Sequence, residues 1–168
     1  DMISYFSAFL PGLKCEDKKS YITEKITPPE EPSTFSKVKD FLFVKNYLEQ
    51  SGNTNKIKVT ITGPITLGFT CGINGLGPYS DLRDAHLYRD IAHALKPIAE
   101  ELQKKGALVQ IDEPGLSAGY VNYKTRSTEI CWWINELTSN LNPETTIMHV
   151  CGKLTTPLLE KVLVKFEN

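Results

Sequence analysis

The residues best suited to chemistry fall in three short segments. The first is His149-Val150-Cys151. On an extended chain residues i and i+2 project to the same side, so an imidazole and a thiolate can aim at one point. Both are good zinc donors, although a metal site also needs further ligands to complete a tetrahedral set. The same pair equally fits a core cysteine beside a hydrogen-bonded histidine, since free cysteine is usually buried as a small hydrophobe. The second segment, Asp112-Glu113-Pro114, sets two carboxylates side by side. One of them could bind an ammonium group or act as a base, or either could cap a backbone turn. The third, Thr62-Gly63-Pro64, is a turn in which the missing side chain lets backbone approach a ligand closely. It also reads as a plain tight turn.

Other candidates carry less. His86 and His93 lie seven apart on one helical face, which suits a solvent-facing pair. Trp132-Trp133 reads as one half-buried and one buried aromatic. Of Cys15, Cys71 and Cys131, only Cys71, in a glycine-rich stretch, is held in reserve as a ligand or reactive thiol. No Walker motif and no GxGxxG opening a helix is present, which argues against nucleotide binding.

The elements that must position these groups can be read from periodicity. Ile57-Lys58-Val59-Thr60-Ile61-Thr62, Leu108-Val109-Gln110-Ile111-Asp112 and Thr145-Thr146-Ile147-Met148-His149 are strands, rich in β-branched residues and sharply terminated. Between and after them lie helical patterns: about Leu82 to Lys105, capped by Ser80-Asp81; about Thr125 to Leu141; and Leu154 to Phe166 with Pro157 in the first turn. An earlier helix starts near Ser36 and carries Val38, Phe41, Leu42, Lys45 and Leu48. Ser4 to Leu10 fits a strand or the tail of a helix, Thr27 to Ser33 is a proline-rich loop, and Gly68 through Gly77 reads as a long flexible loop. Strand–helix alternation of this kind predicts βα units on a parallel sheet, whose functional groups gather at the carboxyl ends of the strands. All three chemistry-bearing segments sit at such ends. Val109 and Ile111 form one face of their strand and pack under helices, which aims Gln110 and Asp112 at the opposite side, the lumen in a closed barrel.

Composition bounds the function classes. The 168 residues are 40% hydrophobic and 23% charged, with net charge −1. That excludes an intrinsically disordered chain and argues against electrostatically driven nucleic-acid binding. No run approaches the ~20 apolar residues of a membrane span. Four scattered cysteines make no disulfide framework and no secretory signal is visible, so a reducing, cytoplasmic setting is expected.

Val59 to Leu67, Val109 to Ser117 and Met148 to Gly152, in that order and spacing, resemble three successive strand ends of the cobalamin-independent methionine synthase family. The zinc methyltransferases acting on methylcobalamin and coenzyme M, and uroporphyrinogen decarboxylase, belong to the same superfamily. The resemblance covers roughly residues 56–166. It implies an α/β fold, a (β/α)8 TIM barrel, and a zinc-activated homocysteine thiol that takes a methyl group from a folate or corrinoid donor, the latter on a corrinoid protein. It further implies that His149 and Cys151 are the first two zinc ligands and that Asp112 binds the homocysteine ammonium. Glu113, Thr62 and Gly63 would line the same pocket. The family's remaining ligands, a glutamate and a second cysteine, should fall beyond Asn168; Glu160 and Glu167 come too early. A TIM barrel needs at least about 200 residues, and the first residue is Asp1, so residues 1–168 are expected to be part of such a barrel, with the βα units from about 56 to 166 the clearest part. Sheet edges left open by half a barrel call for cover, for example by a second copy in a homo-oligomer. The folate-using members carry an extra N-terminal barrel, so a single-barrel form with a corrinoid donor is the expectation. Three competing readings are methyl transfer to another thiol such as coenzyme M, porphyrin decarboxylation, and a non-catalytic binding module. Decarboxylation fits poorly, because Arg83, Arg89 and Arg126 do not lie at strand ends.

Overall fold

The computed structural model of the protein describes residues 2–163. Along the chain come α1 (Met2–Ser7), β1 (Leu13–Glu16), β2 (Lys19–Ile22), a 3-10 turn (Pro32–Thr34), α2 (Ser36–Gln50), β3 (Lys58–Thr62), α3 (Pro64–Gly72) and α4 (Ala85–Lys104). They are followed by β4 (Leu108–Asp112), α5 (Pro114–Ala118), α6 (Tyr123–Thr138), a 3-10 turn (Pro143–Thr145), β5 (Thr146–His149) and α7 (Thr156–Lys161). The predicted strands at 57–62, 108–112 and 145–149 form one parallel sheet in the order β3-β4-β5. This is a mixed α/β architecture with helices returning the chain between parallel strands. β1 and β2 form a separate antiparallel hairpin, turned by Asp17 and Lys18 at positive φ.

One face of the parallel sheet makes the core. Val59, Ile61, Val109 and Ile111 are buried there. Helix α4 is the central element above them: Leu87, Tyr88, Ile91, Leu95, Ile98 and Leu102 are fully enclosed, and α4 packs on α2, α3 and α6 as well as on β3 and β4. From α6, Ile130, Trp133, Ile134 and Leu137 complete the layer.

Several boundaries differ from the sequence reading, each for an identifiable reason. Of the two alternatives for the opening segment, the structure takes the helical one. The glycine-rich stretch is a loop only in its second part: residues 64–72 form α3, almost wholly buried, while Gly75 and Gly77 lie in the irregular segment that follows. The glycines of α3 serve close packing. A Cβ on Gly68 would stand 3.0 Å from both Tyr88 and Ile91 of α4, and one on Gly72 would stand 2.7 Å from Leu82. Helix α4 begins at Ala85 and is capped by Asp84, whose carboxylate accepts from the amides of His86 and Ser80. Asp81 instead closes a local turn on the amide of Arg83. Phe35, not Ser36, occupies the cap position of α2, which buries only Val38 and Phe41 and leaves Phe43 and Tyr47 exposed. The end of the last predicted helix, past residue 163, lies outside the described residues.

Candidate active site

Register brings the three segments together. Thr62 of β3 is level with Asp112 of β4, and Asp112 is level with His149 of β5. One step earlier, Thr60, Gln110 and Ile147 are level in the same way. Side chains alternate across a strand, so Thr62, Asp112 and His149 share the face opposite the helix-covered core. The ladder then continues past the strands. The amide of Gly63 donates to the Asp112 carbonyl at 2.9 Å, and that of Glu113 to the His149 carbonyl at 2.9 Å. The three carboxyl ends are therefore fixed relative to one another by backbone alone.

The two adjacent carboxylates have different surroundings. Glu113 is fully enclosed, and its carboxylate lies against the first turn of α3. It accepts from the Ile65 amide at 2.8 Å, the Thr66 amide at 2.9 Å and the Thr66 hydroxyl at 2.6 Å. Pro64 at the start of α3 has no N–H to satisfy, and Glu113 takes the next two orphan amides, acting as a cap supplied from another strand. Burial raises its pKa to about 7, outweighing the three donors that lower it. The Thr66 hydroxyl also accepts from the Gly115 amide at 2.9 Å, which ties α3 to α5. Gly63 is required here for space. A Cβ at that position would fall 2.3 Å from the Glu113 Oε1.

Asp112 is also largely buried, but on the sheet face opposite the helix-covered core. Its Oδ1 accepts from Gln110 Nε2 at 2.6 Å, and Gln110 Oε1 accepts from Lys58 Nζ at 2.8 Å. Among the described residues no group donates to its Oδ2. Beside it, the Thr62 hydroxyl is buried without a hydrogen-bond partner among the described residues.

His149 and Cys151 are both exposed at the sheet's carboxyl edge. The Cys151 carbonyl accepts from the Ser117 hydroxyl. The next residue, Gly152, has φ +94, a left-handed conformation that suits glycine, and a Cβ there would press on Ser117 at 3.0 Å. So α5 fixes the backbone just beyond the two donors. Among the described residues no group of three or more His, Cys, Asp or Glu side chains is placed to hold a metal. His149 and Cys151 are of donor types that zinc accepts, and two side chains alone do not complete a zinc site.

The remaining candidates separate from this edge. Cys71 is enclosed in α3, and burial pushes its thiol up to about 12, which overturns its reserve role as ligand or reactive thiol. His86 and His93 are solvent-facing on α4, near Asp84 and Glu136 respectively. Trp133 is buried and Trp132 half exposed, as expected. Sequence reasoning missed Thr66 and Lys58. A threonine in the first turn after Gly-Pro, and a lysine two before the level partner of Gln110, were the available signals.

Comparison with known proteins decides the family. Residues 1–164 match the model of the cobalamin-independent synthase catalytic domain. The chain belongs to that family. Its catalytic-domain relatives include methionine synthase of Methanothermobacter thermautotrophicus, 32% identical over 168 residues, 99% of this chain and 52% of that protein. Methionine synthase of Methanocaldococcus jannaschii is 35% identical over 117 residues, 70% of this chain and 36% of that protein. The 5-methyltetrahydropteroyltriglutamate–homocysteine methyltransferase of Synechococcus is 28% identical over 171 residues, 96% of this chain and 22% of that protein. The chain spans about half the length of the first two curated relatives it matches. Among the described residues no helix is long and apolar enough to cross a membrane.

Proposed function

We infer that this cobalamin-independent synthase chain supplies part of a (β/α)8 barrel that transfers a methyl group to the thiol of homocysteine, forming methionine. The observation that carries the reading is the level row Thr62–Asp112–His149, with Cys151 just beyond it, at the carboxyl edge of a parallel sheet in a chain of this family. In barrels, that edge is where catalytic groups gather.

In this reading His149 and Cys151 hold one side of a zinc ion, and the remaining ligands come from beyond residue 168. A zinc ion there supplies a positive charge that keeps a thiol in its nucleophilic thiolate form at neutral pH. Asp112 binds the ammonium of homocysteine through Oδ2, the oxygen that no described residue occupies. That contact holds the amino acid by the end remote from its sulfur and sets the sulfur's reach along the same edge. Thr62 offers a hydroxyl to the bound substrate. Gly63 and Glu113 shape the pocket floor: the absent side chain of Gly63 leaves the space that the Glu113 carboxylate fills.

The test uses the full-length protein purified without chelator. Near-stoichiometric zinc is expected, with His149→Ala and Cys151→Ser each losing it. Methyl transfer to homocysteine, offered with a methyl-folate or methylcobalamin donor in parallel, should disappear with the metal. Zinc retained at full occupancy in His149→Ala would overturn the assignment. Transfer to coenzyme M in preference to homocysteine would replace the substrate.

A further inference from the structure

Between Lys58 and Asp112 runs a row of hydrogen bonds that a binding carboxylate alone does not require. Lys58 Nζ donates to Gln110 Oε1 at 2.8 Å, and Gln110 Nε2 donates to Asp112 Oδ1 at 2.6 Å. Gln110 is buried in the middle strand. Its carboxamide has only one workable orientation, because an ammonium can only donate and a carboxylate can only accept. Lys58 therefore forces the amide oxygen toward itself and the amide N–H toward Asp112. Strand geometry explains the reach: Gln110 and Asp112 are two apart on one face, and Lys58 lies two before Thr60, the residue level with Gln110.

We propose that Gln110 is a positioning residue for Asp112, locked in orientation by Lys58, and that this relay sets how well the protein selects thiols bearing an ammonium group. The relay fixes the carboxylate rotamer through Oδ1 and presents Oδ2 to the ligand. A carboxylate held by one donor and free at the other oxygen receives an incoming N–H donor without first reorganising, so ligand ordering costs less. The relay also keeps the charge of Lys58 one side chain away from Asp112, passing it on only as an oriented amide dipole. The proposal rests on Asp112 holding the homocysteine ammonium.

The experiment compares homocysteine with its des-amino analogue, 4-mercaptobutanoate, as acceptors for the full-length enzyme. The quantity read is the ratio of their kcat/KM values. Asp112→Asn should collapse the preference for homocysteine. Gln110→Met, close in length and unable to donate, should raise the homocysteine KM about tenfold, the scale of one lost charge-assisted hydrogen bond, with kcat changed less than about threefold and the analogue unaffected. Lys58→Met should shift the ratio in the same direction. Lys58→Arg, which keeps a donor, should retain most of the preference. Lys58→Met combined with Gln110→Met should be no worse than Gln110→Met alone, because both remove one relay. Lys58 lies at the exposed start of its strand, so its variants keep the test open if Gln110→Met folds poorly. If Asp112→Asn leaves the preference intact, both the ammonium assignment and the relay fall. If Asp112→Asn abolishes it while Gln110→Met and Lys58→Met do not alter it, the relay alone is wrong.

Discussion

Replacing Gly63 by alanine should be among the most damaging single-methyl changes in the chain. The backbone at Gly63 has φ −73 and ψ 166, extended geometry that any residue adopts, so conformational strain contributes nothing. The cost is spatial. The new Cβ would stand 2.3 Å from Glu113 Oε1, 2.4 Å from Cδ and 2.5 Å from Cγ. Contact at about 3.5 Å or more requires the carboxylate to retreat by about 1 Å. A side chain free in solvent would do so at little cost, but Glu113 is fully enclosed and held by three donors at 2.6 to 2.9 Å. Retreat breaks the equivalent of two hydrogen bonds and leaves buried donors unpaired, at ~1–3 kcal/mol each, so destabilisation by about 2–6 kcal/mol is expected. Urea denaturation should show a lower midpoint at unchanged slope. A control separates the two roles of glycine: Gly52 has φ +70 with nothing within 4 Å of a built Cβ, so Gly52→Ala should cost only the ~1–2 kcal/mol of a left-handed residue. A double-mutant cycle with Glu113→Ala should be strongly non-additive. A loss below about 1 kcal/mol, or an additive cycle, would refute the packing argument.

Two further predictions concern titration and thiol access. Glu113 keeps its proton in the fold up to about 7, against an ordinary value of 4.5, because burial disfavours its charge. Between those values the unfolded chain is ionised and the folded one is not, so its contribution to stability is full below about 4.5 and falls as pH rises to about 7; Glu113→Gln should flatten that slope, and an unchanged slope would assign it to another group. In native protein Cys151 should be alkylated rapidly once metal is removed by chelator and slowly before, while Cys71, enclosed and with its thiol pushed up to about 12, should stay unlabelled until unfolding; equal Cys151 labelling with and without chelator would count against its ligand role.

The parts of the fold visible in the sequence were those that periodicity encodes. β3, β4 and β5 announce themselves because β-branched residues alternate and then stop at Gly-Pro, Glu-Pro or His-Val-Cys. α4 is legible because its stripe from Leu87 to Leu102 holds helical spacing. The β1–β2 hairpin was not, because its strands are only four residues each and its turn is Asp17-Lys18, without the glycine that usually marks a two-residue turn. α3 is hidden in the sequence for the converse reason. Gly68 and Gly72 look like loop residues, and only their distance to Tyr88, Ile91 and Leu82 shows them as contact points between packed elements. At the site, alternation along β4 correctly aimed Gln110 and Asp112 together, whereas the surroundings of Glu113 depend on α3 and could not be read from its own strand.

That difference bears on how the site is built. Asp112 and Glu113 are neighbours in sequence, and two charges so close would disfavour each other. The fold separates them by giving each a different medium. Asp112 lies on the face opposite the helix-covered core, with no described residue donating to its Oδ2, while Glu113 turns into the protein, where burial works against its charge and α3 supplies its partners. Glu113 then acts twice. Its amide donates to the His149 carbonyl and fixes the height of β5 against β4. Its carboxylate draws in the first turn of α3, which begins directly after the Thr62-Gly63 turn. One buried residue thus joins the ends of all three strands. The spacing between the strand ends that carry Asp112 and His149 is set from behind the sheet by a fully enclosed group.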